Sequence, residues 1–164
     1  MALLQPDLYY RDVHSIDLDA LAAEGRDTLL IDLDNTLLPR DASDVPEDLR
    51  AWASSLSQRG MSASLVSNNW HAHVKSVADE LGFALVSKAI KPLPFAFLRA
   101  LGLLDSDRHR AAVIGDQIFT DILGGNLLGM RTVLVMPLSA TDLPHTLALR
   151  RLEALVLAGR QPLP

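Results

Sequence analysis

The sequence predicts an α/β fold, an open and mostly parallel sheet of five strands flanked by helices on both faces. Three observations predict it. Short apolar runs alternate along the chain with longer segments whose apolar residues recur at helical spacing. The connections between them are short, which favours folding each helix straight back onto the sheet. The length, 164 residues of which 49% are hydrophobic, suits one core in one domain that needs no metal or disulfide to fold.

The elements follow in order. Residues 1–26 precede the alternation and read as an N-terminal packing arm with a short helix. Residues 28–33, TLLIDL, form the first strand, an unbroken apolar run of the kind buried on both faces. A helix is predicted over 46–58, with Asp44 as N-cap, Glu47 and Asp48 in the first turn, Leu49, Trp52 and Leu56 inward, and Gly60 at its end. The second strand is 62–67. The next helix, 71–81, buries Val74, Val77, Ala78 and Leu81 and closes at Gly82. Residues 83–86 are a short third strand. The helix after Lys91 and Pro92 turns Phe95, Leu98 and Leu101 inward, and 111–115 is the fourth strand. A helix over 119–128 stops at Gly129, 131–137 is the fifth strand, and 138–164 carries a last helix over 143–158 closed by Gly159.

Composition excludes several functions. With no cysteine, the chain has no disulfide scaffold, thiolate zinc site or cysteine nucleophile. The formal charge of −5 comes from interspersed acids and bases, so no basic field invites nucleic acid. The N-terminus lacks the basic opening and apolar core of a signal peptide. No apolar run approaches the roughly 20 residues that span a bilayer. A cytoplasmic protein is expected.

In open parallel sheets, sites form beyond the carboxyl ends of the strands. Here four such ends are polar. The first strand runs into Asp32 and Asp34, the second ends in Ser67, Asn68 and Asn69, Lys91 and Pro92 follow the third, and the fourth runs into GDQIFTD, Gly115 to Asp121. Each alone has an ordinary reading as a turn, a cap or a surface lysine. Together they match the needs of phosphoryl transfer. Asp32, Asp34 and Asp116 in one place would repel one another without a hard cation, and Mg²⁺ takes oxygen ligands of this kind. Lys91 would add fixed positive charge and Ser67 a hydroxyl donor. Asp32 is placed to attack phosphorus, and Asp34 to protonate the leaving oxygen and then activate water. Thr36 would tie the turn, Gly115 would permit close backbone approach, and Asp121 would hold a metal-bound water.

Other candidates fit less well. His71 and His73 are two apart and share no helix face. GGNLLG lacks the lysine and hydroxyl of a P-loop, so Gly124 and Gly125 are read as sites of close helix packing. Ser67 has no histidine and acid in hydrolase order.

With these residues the chain resembles the haloacid dehalogenase superfamily of phosphatases. DLDNT is similar to its DxDxT signature, and Ser67, the lysine of KP and GDQIFTD are similar to its other three motifs in order. More closely it resembles the YqeG family of class IIIA phosphatases. The resemblance implies a three-layer Rossmann-like fold and an Mg²⁺-dependent phosphomonoester hydrolase that works through an aspartyl-phosphate. It makes Asp32 nucleophile and metal ligand, Asp34 acid/base and a ligand through its carbonyl, and Asp116 the third ligand. It has Ser67 and Lys91 bind phosphate, Asn68 and Asn69 line or brace that side, and Asp121 support the metal.

The related phosphatidylglycerophosphate phosphatases suggest a lipid headgroup as substrate. No cap-sized insertion follows Asp34 or lies between Asn69 and Lys91, so the site is expected to be capless and open to a bulky phosphate. Arg150 and Arg151 on the leucine-rich last helix allow a peripheral contact at the inner face of the membrane, although such a stripe more often packs on its own sheet. The alternative is a non-catalytic phospho-acceptor or binding module that keeps the fold. Against a receiver-type acceptor, the third strand ends without an aspartate.

Overall fold

Six parallel strands form one sheet in the spatial order β1-β6-β5-β2-β3-β4: β1 (Leu8–Tyr10), β2 (Thr28–Ile31), β3 (Ser62–Val66), β4 (Ala84–Val86), β5 (Ala111–Gly115) and β6 (Arg131–Val135). The helices are α1 (Leu18–Ala23), α2 (Glu47–Gln58), α3 (Ala72–Leu81), α4 (Pro94–Leu103), α5 (Leu123–Leu127) and α6 (Pro144–Val156). This computed structural model describes residues 2–42, 44–139 and 144–164. The predicted start of the last helix at Leu143 lies outside them.

The apolar runs are explained by burial on both faces. Leu29, Ile31, Leu65, Ala112, Ile114 and Val133 point into one core layer, packed by Leu21 of α1, Leu49, Trp52 and Leu56 of α2, and Val74, Val77, Ala78 and Leu81 of α3. The alternate residues Leu30, Val66 and Val113 face a second layer filled by Ala96, Phe97, Ala100 and Leu101 of α4. With successive side chains on opposite faces, a strand covered on both sides must be apolar throughout. In a third cluster Ile118, Ile122 and Leu134 meet Leu4 and Tyr9 of the arm and Val156 and Leu157 of the C-terminal region.

The structure corrects the expectation at several points. The sheet has six strands, because part of the N-terminal arm pairs with β6 in the register Leu8↔Val133, Tyr9↔Leu134 and Tyr10↔Val135. Three residues at a sheet edge carry too little alternation to signal a strand. Asp7 fixes them: its N–H donates to the Thr132 carbonyl (3.1 Å) and its carboxylate accepts from the Thr132 N–H (2.8 Å). On the outer side the Leu163 N–H donates to the Tyr9 carbonyl (2.7 Å), covering part of the edge. Pro46, not Asp44, holds the N-cap position of α2. In α4 Leu101 is buried as expected, but the inward aromatic residue is Phe97, while Phe95 is 75% and Leu98 49% exposed. Apart from Arg99 that helix carries no charged or polar side chain, so periodicity could not choose its face. Gly124 makes the choice, since a Cβ there would collide with the Phe97 ring. The helix predicted over 119–128 is a π-turn, Ile118–Ile122, running into α5.

β2 is flanked by β3 on one side and β5 on the other. The chain therefore changes winding direction at β2, and the residues after β2, β3 and β5 surround a crevice at one sheet edge. Among the described residues no domain is inserted after Asp34 or between Asn69 and Lys91, and no helix is long and apolar enough to cross a membrane.

Candidate active site

Asp32 extends β2 by one residue, its N–H donating to the Ile114 carbonyl (2.9 Å), so the β2–β5 ladder aims its side chain over the sheet edge. Lys91 reaches it from the loop after β4. The Lys91 ammonium donates to Asp32 Oδ1 and Asp121 Oδ1, both at 2.6 Å, with its side chain only 3% exposed. Burial alone would lower the Lys91 pKa, but the charges of Asp121 and Asp32 outweigh it and the net shift is upward. Thr36 Oγ1 lies 3.3 Å from Asp32 Oδ2 and 3.2 Å from Asp116 Oδ1, joining the two acids. Thr36 is brought there by a tight loop in which its N–H donates to the Leu33 carbonyl (3.2 Å) and Asn35 takes a left-handed φ of 63°.

Asp121 arrives on the π-turn after β5. Its Oδ2 accepts from the Gln117 N–H (3.3 Å) and lies 3.3 Å from the Thr120 hydroxyl. Gly115 makes room for it: a Cβ there would overlap the Asp121 side chain. One oxygen each of Asp32, Asp116 and Asp121 lies within 4.8 Å of the others. Burial first, and the Asp32 charge besides, hold Asp116 and Asp121 well above the usual carboxylate range, against the opposing pull of Arg150 and Lys91. Asp34 stands apart from that cluster. It is half-buried, and burial followed by the Asp32 charge raises its pKa, which favours a proton on it.

A cavity of about 640 Å³ opens over these groups, lined among others by Asp32, Asp34, Asn68, Asn69, Lys91 and Asp121. Ser67, Thr36, Gly115 and Asp116 are not on its wall. Ser67 is fully buried, and its hydroxyl accepts from the Asn69 N–H (3.1 Å). Asn69 places its Nδ2 3.5 Å from Asp34 Oδ2, and its Oδ1 accepts from the His71 N–H (3.0 Å). Asn68 Oδ1 accepts from the Lys91 N–H (2.8 Å). The two asparagines thus join the loops that carry Asp34 and Lys91.

Sequence reasoning missed three contributors. Arg150, on a helix expected to pack on the sheet or to touch a membrane, turns toward the acids: its guanidinium donates to the Asp116 carbonyl (2.5 Å), to the Asp116 carboxylate and to Glu153 Oε2 (3.2 Å). Glu153, 5% exposed, accepts from the Ile118 N–H at 2.7 Å and braces the π-turn. The Arg–Glu spacing of three along a helix was the available signal. Arg40 also lines the cavity, and its charge acts on Asp34.

Comparison with known proteins decides the family. A family model described as HAD-hydrolase-like matches residues 89–140. The chain is 33% identical over 154 residues to the probable phosphatase YqeG of Bacillus subtilis, covering 94% of this chain and 90% of that protein. The chain belongs to the YqeG family of haloacid dehalogenase-type phosphatases. Solved structures agree on the fold. A HAD phosphatase from Thermococcus onnurineus superposes with a TM-score of 0.51 at 20% identity, over 62% of this chain and 51% of that one. The cobalt-bound deoxy-D-mannose-octulosonate 8-phosphate phosphatase of Haemophilus influenzae gives 0.52 at 14% identity, over 82% and 88%. The motif residues of this YqeG-type chain, Asp32 to Thr36, Ser67 to Asn69, Lys91 and Gly115 to Asp121, all lie at the one sheet edge.

Proposed function

We propose that this phosphatase is an Mg²⁺-dependent phosphomonoester hydrolase that works through an aspartyl-phosphate on Asp32. The observation that carries the reading is the buried Lys91 ammonium bridging Asp32 and Asp121 at the floor of a cavity whose wall also holds Asp34. Lys91 and Thr36 fix both oxygens of Asp32, so the attacking atom is oriented before substrate arrives. Asp32 attacks phosphorus as the bond to the leaving oxygen breaks. Asp34, its pKa raised, gives its proton to that oxygen. The Asp34 carboxylate then takes a proton from water, which attacks phosphorus, breaks the aspartyl ester and releases phosphate. Lys91 and Asn68, both on the cavity wall, serve the phosphoryl oxygens, while buried Ser67 accepts from the Asn69 N–H and so helps hold the loop around Asp34.

The donor set fits a hard divalent cation. The ion pairs here set Lys91 and Arg150 against Asp32, Asp116, Asp121 and Glu153, so negative charge is in excess. Asp32, Asp116 and the Asp34 carbonyl would hold the ion and Asp121 would support it. Bound there, Mg²⁺ supplies charge neutralisation for the acids and the phosphoryl group. A neighbour of the same fold, the Haemophilus influenzae phosphatase, is cobalt-bound, which supports a divalent cation in this reading. The uncapped cavity favours a phosphate on a bulky body. Phosphatidylglycerophosphate is our candidate, met by a cytoplasmic protein at the inner face of the membrane.

The test is hydrolysis of p-nitrophenyl phosphate and of phosphatidylglycerophosphate in detergent. Activity is expected with Mg²⁺ and lost with chelator or in Asp32→Asn, and acid quenching should trap a phosphoryl group on Asp32. Full activity in Asp32→Asn would remove the covalent step. Hydrolysis confined to soluble esters would remove the lipid substrate.

A further inference from the structure

A second hollow adjoins the active-site cavity. It measures about 570 Å³ and is lined by Asn68, Trp70, Lys88 and Ile90. Asn68 and Trp70 line both hollows, so the space over the reacting acids continues into this groove. Two of its four lining residues are large, apolar and uncovered: Trp70 is 63% and Ile90 67% exposed, and neither joins a core cluster.

The loop that presents Ile90 is held in a costly conformation. Lys88 and Ile90 take left-handed φ values of 52° and 53°, on either side of buried Ala89. A β-branched residue in this region is a steric outlier that asparagine or glycine would occupy more easily. Hydrogen bonds maintain it: Ala89 N–H to the Ser67 carbonyl (3.0 Å) and Leu93 N–H to the Ile90 carbonyl (3.1 Å). The chain thus accepts backbone strain to hold a large apolar side chain in solvent beside its reacting groups. Strain of this kind gathers at ligand clamps.

We infer that the Trp70–Ile90 groove is the leaving-group subsite, and that it takes an apolar group, an alkyl chain or an aromatic ring, carried by the phosphomonoester. This rests on the phosphomonoester hydrolase reading. A phosphate seated over Asp32 has several walls along which its ester substituent could run, and of these the one that Asn68 and Trp70 share leads on to Trp70 and Ile90 and would cover them. Lys88 completes the lining, and its aliphatic stem would extend the wall with the ammonium left in water. Discrimination comes from burying the substituent, whereas phosphate binding by Lys91 and Asn68 is common to all esters.

The experiment compares kcat/KM for soluble alkyl phosphates from ethyl to decyl, with phenyl phosphate as the aromatic arm. For the unaltered protein kcat/KM should rise by about fourfold for each methylene that seats against Trp70 and Ile90. In Trp70→Ala and Ile90→Asn the decyl-to-ethyl ratio should fall at least tenfold. Asparagine tolerates the left-handed backbone, so Ile90→Asn removes the apolar wall without adding strain. A flat series in the unaltered protein, or a steep one kept in both variants, overturns the subsite. A second readout does not depend on turnover: decyl phosphate, and not ethyl phosphate, should shift the Trp70 emission to the blue, isolated as the difference from Trp70→Phe. If no ester is hydrolysed the phosphatase mechanism fails, and this emission shift still decides the groove. Its absence overturns the proposal.

Discussion

Arg150 on α6 donates to both the backbone carbonyl and the carboxylate of Asp116, the acid that follows β5. The last helix therefore reaches into the acidic cluster. Removing the guanidinium would leave the Asp116 carboxylate buried beside Asp32 with its counter-charge gone. Arg150→Ala is expected to lower stability in chelator at neutral pH by on the order of 3 kcal/mol. Urea unfolding with and without Mg²⁺ checks it, and the added cation should restore part of the loss. Equal midpoints in chelator would show that the pair is worth nothing there.

The same cluster sets a pH dependence. Asp116, Asp121 and Asp34 have folded pKa values raised by burial and by their neighbours' charge. A raised carboxylate pKa means that the folded state binds more protons than the unfolded one above the ordinary carboxylate range. The contribution is complete below the unfolded pKa and is lost as pH rises through the folded one. Metal-free protein should lose melting temperature between about pH 5 and about pH 8, and the gain on adding Mg²⁺ should grow over that interval. Thermal scans in chelator and in Mg²⁺ at several pH values test this. A gain that is flat or shrinks with pH would place the cation away from these acids.

Asp32, Asp34, Lys91, Asp116 and Asp121 were legible in the sequence because a parallel sheet sends every strand's carboxyl end to one edge, so unusual polar residues after four strands had to converge. Their contacts were less legible. Ser67 carries the expected hydroxyl, but the Asn69 N–H engages it below the cavity wall, and no spacing rule reports that. Arg150 was hidden because the leucines around it dominate the helical pattern, and Leu152 and Leu155 do stay exposed while Glu153 is buried. Phe97 lost to Phe95 in the reading of α4 because the deciding contact, Gly124, belongs to another helix.

Gly115 offers a test of that close packing. A Cβ there would overlap Asp121, which is pinned by Lys91 and by the Gln117 N–H and has little freedom to retreat. Gly115→Ala should cost about 1–3 kcal/mol, as overpacking does, and should lower kcat by displacing Asp121 from Lys91. Circular dichroism melts and turnover of p-nitrophenyl phosphate check both, and undiminished turnover would separate the Asp121 position from the chemistry.

Lys91→Met separates charge from packing at the floor of the site. Methionine fills a similar volume but gives Asp32 and Asp121 nothing to bind, so two buried carboxylates face each other. The expected cost is about 3–5 kcal/mol above the carboxylate range, and less in mild acid, where the acids take up protons. Turnover should be lost at every pH, because Asp32 would have neither its fixed orientation nor a positive charge beside the phosphoryl group. Lys91→Arg should not restore it, since the planar fork cannot replace a point charge held at 2.6 Å from two different carboxylates. Denaturant titrations at acidic and neutral pH, with single-turnover assays alongside, give the comparison. A Lys91→Met protein as stable at neutral pH as the unaltered chain would mean that the two acids already share a proton and that the ammonium does not hold the site together.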